Sequence, residues 1–347
     1  MKINKIRLDD IQRCYCASSI NINGELHALF ASEDPQNVCN AYHGENFENK
    51  VNVWDDAGGC MSIIPFENRK NEFLAVQEFY LKVSPSLSKL VWGRYDDTLN
   101  KIVFKDLFNL PYLHRFDIYN VDGEEYLVLA TIAKSKENKE DWSNPGQIYL
   151  AKLPSDLNDP IELKEIATDM FINHGYSKSV YNGKVCGYFS SEQGVLRLTP
   201  PTTKGGEWNL EKIMDKKVSD IAFVDIDNDG ELEMMTIEPF HGNIIKIYKL
   251  VNNEYTEVFK YPTEIDFAHA LVGGKVAGIN TFIIGIRRVN CELALVQYIN
   301  NEYKVTIIEE GVGPANVALI NRENDDLILS ANHTKNEAAI YVVTKGE

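Results

Sequence analysis

The sequence predicts an all-β fold: a seven-bladed β-propeller of four-stranded blades, its ring closed by the N-terminal strand, with residues 1–347 forming one domain. Three observations carry this expectation. Helical periodicity is almost absent. Short alternating or apolar runs bounded by Gly, Asn and Asp recur from end to end. These runs group by fours into units of roughly 45–60 residues, the period that radial repetition of a four-stranded sheet requires.

Taken in order, the first unit reads as strands at 13–20, 25–32, 37–42 and 50–54, and the second at 60–65, 72–79, 89–94 and 101–107. The third covers 114–119, 126–133, 147–152 and 161–166, and the fourth 176–181, 184–189, 195–198 and 208–213. The fifth covers 220–225, 232–237, 244–249 and 255–259, and the sixth 268–272, 281–287, 292–298 and 303–308. The seventh has only 316–320, 326–331 and 338–343, and the unused segment 2–8 supplies its missing strand. Such an exchange hides sheet edges that would otherwise be open to aggregation. No Pro-rich, Ser-rich or like-charged linker marks a domain boundary.

Composition narrows the function. A formal charge of −16 argues against a nucleic-acid partner, which needs a basic face. The N-terminus is basic but lacks the apolar run of a secretory signal, and no stretch approaches a membrane span. Six cysteines without a CxxC pair read as buried or free thiols in a reducing cytoplasm.

Propeller geometry then sorts the polar residues. Loops that enter the first strand of a blade share one face with loops that join its second and third strands, and together they ring an axial funnel. His114, His174 and His269 fall at or before first strands, and His241 and His333 fall after second strands. Glu78, Glu238 and Arg287–Arg288 occupy corresponding ends, whereas His27 and His43 fall elsewhere. Clustered imidazoles with a carboxylate suit zinc or another borderline divalent metal. They equally suit acid–base work without metal. A second candidate is Asp225-Ile-Asp227-Asn-Asp229-Gly-Glu-Leu-Glu233, hard oxygen donors around a Gly turn, which reads as a structural calcium site or an ion-free acidic turn. Cys14-Tyr-Cys16 reads as two buried thiols, and the four tryptophans, Trp142 among them, as blade packing. No GxSxG, P-loop or dinucleotide fingerprint is present.

Several of these segments resemble a known family. Val224-Asp-Ile-Asp-Asn-Asp-Gly-Glu is similar to the FG-GAP/VCBS repeat. Thr236-Ile-Glu-Pro-Phe-His-Gly-Asn243, Leu113-His-Arg115, His174-Gly-Tyr176 with Glu192-Gln-Gly-Val195, and Ala268-His-Ala270 with Gly285-Ile-Arg287 resemble the aldos-2-ulose dehydratase (1,5-anhydrofructose dehydratase) propeller. Gly313-Pro-Ala-Asn316 with Ser330-Ala-Asn-His333 fits its closing blade. The resemblance covers about residues 110–343, departs at Phe240 where Trp is usual, and loses most of the acidic turns. It implies a lyase acting on a keto-sugar with zinc in the propeller cleft.

The expectation drawn from both readings is a metal-dependent dehydratase with a small carbohydrate substrate and zinc or manganese as cofactor. His114, His174, His241 and His269 form the pool of metal ligands, and His174, Glu238 and Arg287 are the candidates for proton transfer and enolate binding. Glu78, Lys136, Tyr176, Asn316 and His333 are expected at the rim. A non-catalytic glycan- or protein-binding propeller and a metal-dependent lactonase or hydrolase are the alternatives.

Overall fold

The computed structural model, which describes residues 1–34, 38–80 and 84–346, is a ring of seven antiparallel sheets. It begins with β1 (Lys2–Asp10). Blade one holds β2 (Cys14–Ile22), β3 (Glu25–Ser32), β4 (Cys39–His43) and β5 (Asn49–Trp54). Blade two holds β6 (Ile63–Pro65), β7 (Glu72–Gln77), β8 (Lys89–Asp96) and β9 (Lys101–Asn109). Blade three holds β10 (Leu113–Val121), β11 (Glu124–Thr131), the short β12 (Ala133–Ser135), β13 (Asn144–Lys152) and β14 (Lys164–Met170). Blade four holds β15 (Gly175–Tyr181), β16 (Lys184–Ser191), β17 (Gly194–Thr199) and β18 (Asn209–Met214). Blade five holds β19 (Asp220–Val224), β20 (Glu233–Glu238), β21 (Ile244–Val251) and β22 (Glu254–Lys260). Blade six holds β23 (Asp266–Val276), β24 (Ile279–Arg288), β25 (Leu293–Ile299) and β26 (Glu302–Glu309). Blade seven holds β27 (Asn316–Asn321), β28 (Asp326–Asn332) and β29 (Glu337–Thr344), and β1 completes it.

The closure expected from segment 2–8 is present, with β1 antiparallel to β29 from Lys2↔Thr344 to Asp10↔Glu337. Three details differ from the sequence reading. The first strand of blade two shrinks to three residues, and the fourth of blade three slides toward Met170. Residues 133–145 fold back as an extra pairing of β12 on β13. The strand expected at 37–42 starts at Asn37, which lies outside the described residues.

Local chemistry explains the tight first hairpins. Asn23 (φ 52°) with Gly24 (φ 88°), and Asn182 (φ 49°) with Gly183 (φ 72°), put two left-handed residues in each two-residue turn. That backbone matches the twist of the flanking strands. Buried apolar side chains gather where adjacent blades face each other. Cys16, Leu29 and Trp54 of blade one meet Ile63, Phe73 and Val91 of blade two, and Met235 and Ile247 of blade five meet Phe282 and Ile284 of blade six. Polar residues are thereby displaced to the two faces and the axis. Among the described residues the only helix is one 3-10 turn, Pro85–Leu87, and none is long and apolar enough to cross a membrane.

Candidate metal centre and axial cavity

Equivalent positions at the openings of the innermost strands, within the first few residues or just before them, are held by Tyr15, Met61, His114, His174, Ser219, His269 and Ala315. In three blades this residue is a bulge. The register steps over Tyr15 between Cys14↔Ser32 and Cys16↔Ala31. It steps over His114 between Leu113↔Thr131 and Arg115↔Ala130, and over His269 between Ala268↔Ile286 and Ala270↔Gly285. An extra unpaired residue re-aims its side chain out of the strand's alternation, and here all three line the axial cavity. His241 arrives differently, from the loop after β20, with a left-handed backbone (φ 45°) anchored by its N–H donating to Ser219 Oγ at 3.1 Å.

Backbone carbonyls fix the imidazoles. His114 Nδ1 contacts the carbonyl oxygen of His174 at 3.1 Å, His174 Nδ1 that of Ser219 at 3.1 Å, and His269 Nδ1 that of Ala315 at 2.7 Å. A carbonyl only accepts, so each Nδ1 carries the proton and each Nε2 keeps its lone pair. His174 Nε2 lies 3.3 Å from His241 Nε2, and the ligand nitrogens of His174, His241 and His269 all lie within 4.8 Å of one another. Nitrogens about 2.0–2.1 Å from a tetrahedral centre are about 3.3 Å apart. The oriented nitrogens, the second hydrogen bond behind His174 and His269, and the all-imidazole donor set fit a borderline divalent ion such as zinc. His114 stands beside the trio, its ring centroid 4.8 Å from that of His174.

Burial first, then Arg115 and Arg287, hold His174 down to about 3. Burial, followed by nearby cations and imidazoles, pushes His114, His241 and His269 well below the ordinary histidine value. All four are therefore neutral at physiological pH, the state in which imidazole binds metal or accepts a proton. Tyr15 Oη lies 3.2 Å from His269 Nε2, and burial raises the phenol so that it stays protonated. The cavity measures about 560 Å³. Phe79, Trp142, Phe240 and Phe267 give it apolar walls, and Arg13, Glu33, Arg287 and Arg288 charge one side.

Of the residues read as candidates from sequence, His114, His174, His241, His269 and Arg287 meet in this cavity, and His333 lines an adjoining one beside Arg287. Others go elsewhere. Glu238 is not among the lining residues: its carboxylate accepts from Thr236 Oγ1 at 2.7 Å and Tyr248 Oη at 2.8 Å, on the flank of blade five. The chain turns toward the axis only after Glu238, at His241, which corrects the proton-transfer role expected for that carboxylate. Tyr176 is locked to Tyr119 Oη at 2.6 Å between blades three and four, and Glu78 pairs with Lys89 at 3.0 Å. Neither lines the cavity, nor does Asn316, the residue after the opening position of blade seven. Lys136 packs behind the wall, its Nζ 3.0 Å from the centroid of the Trp142 ring. His27 and His43 stack on each other in blade one, centroids 4.4 Å apart.

Sequence reasoning missed Tyr15, Arg13, Glu33 and the aromatic walls. The signal for Tyr15 was its equivalence to His114 and His269 at the opening of a blade. Asp220, the residue after Ser219, was also missed as a titratable group: burial raises it to about 7 against the pull of Arg115.

The acidic turn carries a cation of its own. Lys249 Nζ contacts Asp227, lies 2.6 Å from Asp229 Oδ2 and 3.2 Å from Glu233 Oε1, while Asp225 accepts from the N–H groups of Asp229 and Gly230. Oxygens of Asp225, Asp227 and Asp229 still lie within 4.8 Å of one another, close enough to share an ion, but three of the four carboxylates read as calcium ligands face the Lys249 ammonium, which an entering ion would have to displace.

No family model matches the sequence, and no curated protein matches it. Solved structures do resemble it. The Dos1 propeller superposes with a TM-score of 0.55 at 8% identity, covering 92% of this chain and 77% of that one. Two proteins provisionally named 6-phosphogluconolactonases also superpose. The one from Bacteroides uniformis has a TM-score of 0.52 at 9% identity, covering 88% of this chain and 84% of its own. The one from Bacteroides fragilis has a TM-score of 0.53 at 10% identity, covering 92% and 86%. At such identities the likeness defines the class, a seven-bladed β-propeller, and nothing finer.

Proposed function

We propose that the axial cavity is the active site of a metal-dependent carbon–oxygen lyase that dehydrates a keto-sugar. The observation that carries this reading is the convergence of His174, His241 and His269, each from a different blade, beside a neutral His114 and a protonated Tyr15. These are the segments that resemble the aldos-2-ulose dehydratase propeller, joined by a phenol that the resemblance does not include.

His174, His241 and His269 would hold the ion, and their all-nitrogen set favours zinc over manganese. Bound there, the metal would supply Lewis-acid polarisation of the substrate carbonyl. His114 Nε2 takes the proton from the carbon next to the ketone, leaving its electron pair as an enolate. Metal bound at the trio would balance that developing charge. The electron pair then returns to form the carbon–carbon double bond as the β C–O bond breaks. Tyr15 Oη–H donates its proton to the departing oxygen, which leaves as water, and the proton held on His114 passes back to Tyr15 through solvent. Phe79, Phe240 and Trp142 keep bulk water from the enolate.

A lactonase is the second reading. It is favoured by the two propellers provisionally named 6-phosphogluconolactonases, which cover 88% and 92% of this chain. Metal-assisted attack of water on a lactone would use the same trio, with His114 as the base. One experiment separates the two: purified protein with its metal content measured is incubated with 2-keto sugars, 3-keto sugars and aldonolactones. A new ultraviolet-absorbing enone from a keto-sugar supports the lyase. Acid release from a lactone without enone replaces it with the lactonase, and silence on every substrate, with no metal bound, overturns both.

A further inference from the structure

We propose that the substrate carries an oxyanion, a phosphate or a carboxylate, and that Arg13, Arg287 and Arg288 dock it on one side of the cavity. This inference rests on the cavity being the substrate site and names the chemical class of what enters it. Neither the metal reading nor the keto-sugar resemblance asks for such a group.

The chain as a whole is strongly acidic, with 51 Asp and Glu against 35 Lys and Arg. A gathering of guanidiniums at one spot therefore runs against its composition. Arg13, Arg287 and Arg288 line the axial cavity and also an adjoining cavity of about 530 Å³ that reaches outward past His333 and Thr334. The two spaces share these arginines and Phe267, so together they form one trough leading from the imidazole trio to the rim between blades six, seven and one.

The local charge is left unbalanced. Glu33 is taken by Arg13 at 2.6 Å and by His333 at 2.9 Å, and Asp266 reaches Arg288 at 3.2 Å near solvent. Three guanidiniums thus meet two carboxylates, and the deepest of the three is the one without a partner. Carboxylates on this side are held by Arg13, His333 and Arg288, and among the described residues no carboxylate forms an ion pair with Arg287. Its Nη2 reaches only the His333 ring at 2.8 Å, and its buried Nε has no hydrogen-bond partner. Its guanidinium lies against the Phe267 ring, 4.7 Å from the centroid, and Arg288 lies 4.4 Å from the same ring. Stacking fixes the plane of the fork while leaving its N–H edge available, the arrangement suited to bidentate recognition of phosphate or carboxylate. A mostly buried cation without a counter-ion is costly unless a ligand supplies one. An arriving anion would relieve that cost and fix which end of the substrate faces the trio.

The test measures melting temperature and calorimetric affinity for inorganic phosphate, glucose 6-phosphate, gluconate and uncharged glucose at matched ionic strength. Zinc-loaded and chelator-treated protein are compared. Both anionic sugars, or one of them, should stabilise the wild type while glucose does not, and the tighter of the two tells phosphate from carboxylate. Arg287→Gln should weaken anion binding by about tenfold or more. Arg288→Gln, at a solvent-facing position that tolerates change, should weaken it by a smaller factor and serves if the first variant fails to fold. Equal responses to glucose and to the anions, or wild-type affinity in the folded variants, would overturn the proposal. Anion binding that survives chelation in a protein that takes up no zinc would instead sink the metal-dependent reading and leave this one standing.

Discussion

His174 Nε2 lies 3.3 Å from His241 Nε2, although the two residues are 67 positions apart and enter from different blades. The hydrogen bond from His174 Nδ1 to the Ser219 carbonyl rules out His174 as the donor in this contact while it is neutral. Either His241 donates, or both lone pairs face one cation. Ser219 links the two rings, since its carbonyl fixes His174 and its hydroxyl accepts the N–H of His241. One residue of blade five thus sets the spacing of the pair.

If both lone pairs face a cation, the trio and its neighbour should separate in a metal titration. His174→Ala, His241→Ala and His269→Ala should each lower zinc affinity by about a hundredfold or more, because a site with few ligands loses most of its hold with any one. His114→Gln should still bind one equivalent and lose turnover by about 10²–10⁴-fold. Elemental analysis of the dialysed variants checks the first expectation, and loss of zinc from His114→Gln would move that residue into the metal set.

Tyr15→Phe isolates the phenol. The ring stays, so packing against His269 persists, and metal content should be unchanged. Turnover should fall by about a hundredfold if the hydroxyl donates to the leaving oxygen. A variant that turns over at the wild-type rate leaves Tyr15 as a wall residue.

Much of the ring was legible in the sequence because strand alternation and turn chemistry are local signals. The closure by segment 2–8 followed from one blade lacking a strand, and the histidines at strand ends followed from which face those ends share. The bulges were not legible. A bulge is defined by two residues facing one on the partner strand, and the sequence of Cys14-Tyr-Cys16 alone reads as plain alternation with Tyr15 turned aside. Glu238 was placed at the correct strand end, but alternation does not say whether an end residue faces the axis or the neighbouring strand. Lys249 was missed for a related reason: the pairing of Met234 with Tyr248 brings it opposite Glu233, and that register is invisible without the sheet.

Ring closure should be separable from the rest of the chain. Removing residues 1–10 strips Ile3, Ile6 and Leu8 from the packing of blade seven. It also takes away Lys5, which contacts the buried Glu337 at 2.6 Å. The shortened protein should aggregate or melt far below the wild type, and a synthetic peptide of residues 1–12 should restore part of the loss by pairing with β29. Thermal melts with and without the peptide decide it, and an unchanged melting temperature after deletion would show that the closure contributes little.

Acid stability should register Glu33. Burial alone would raise its carboxyl, but the hydrogen bond from His333 and the charge of Arg13 outweigh burial and hold it at about 2, below an ordinary value of 4.5. A depressed folded value means the contribution is fully present above 4.5 and is lost as pH falls toward 2. Its ceiling is about 3 kcal/mol. In urea titrations from pH 6 to pH 2, Glu33→Gln should be less stable at pH 6 and should lose less stability on acidification. Parallel curves for the two proteins would contradict the assignment.

Lys249 offers the sharpest test of the acidic turn. Its ammonium sits among Asp227, Asp229 and Glu233, and the lysine is held well above its ordinary value by these carboxylates against the opposing effect of burial. While it is there, a divalent cation would have to displace a charge already paired, so calcium should leave the wild-type melting temperature unchanged. Lys249→Gln removes that charge and leaves Asp225, Asp227, Asp229 and Glu233 around a turn whose oxygens already lie close together. Their mutual repulsion should lower the melting temperature by several degrees, and the loss should grow at low ionic strength, where screening is weakest. Hard oxygen donors in that arrangement suit calcium, so millimolar calcium should restore the variant toward wild type by binding only the folded state. Magnesium, smaller and reluctant to shed water, should restore less. Calcium stabilisation of the wild type equal to that of the variant would mean that the ion enters alongside the lysine, and the turn would then be a calcium site after all.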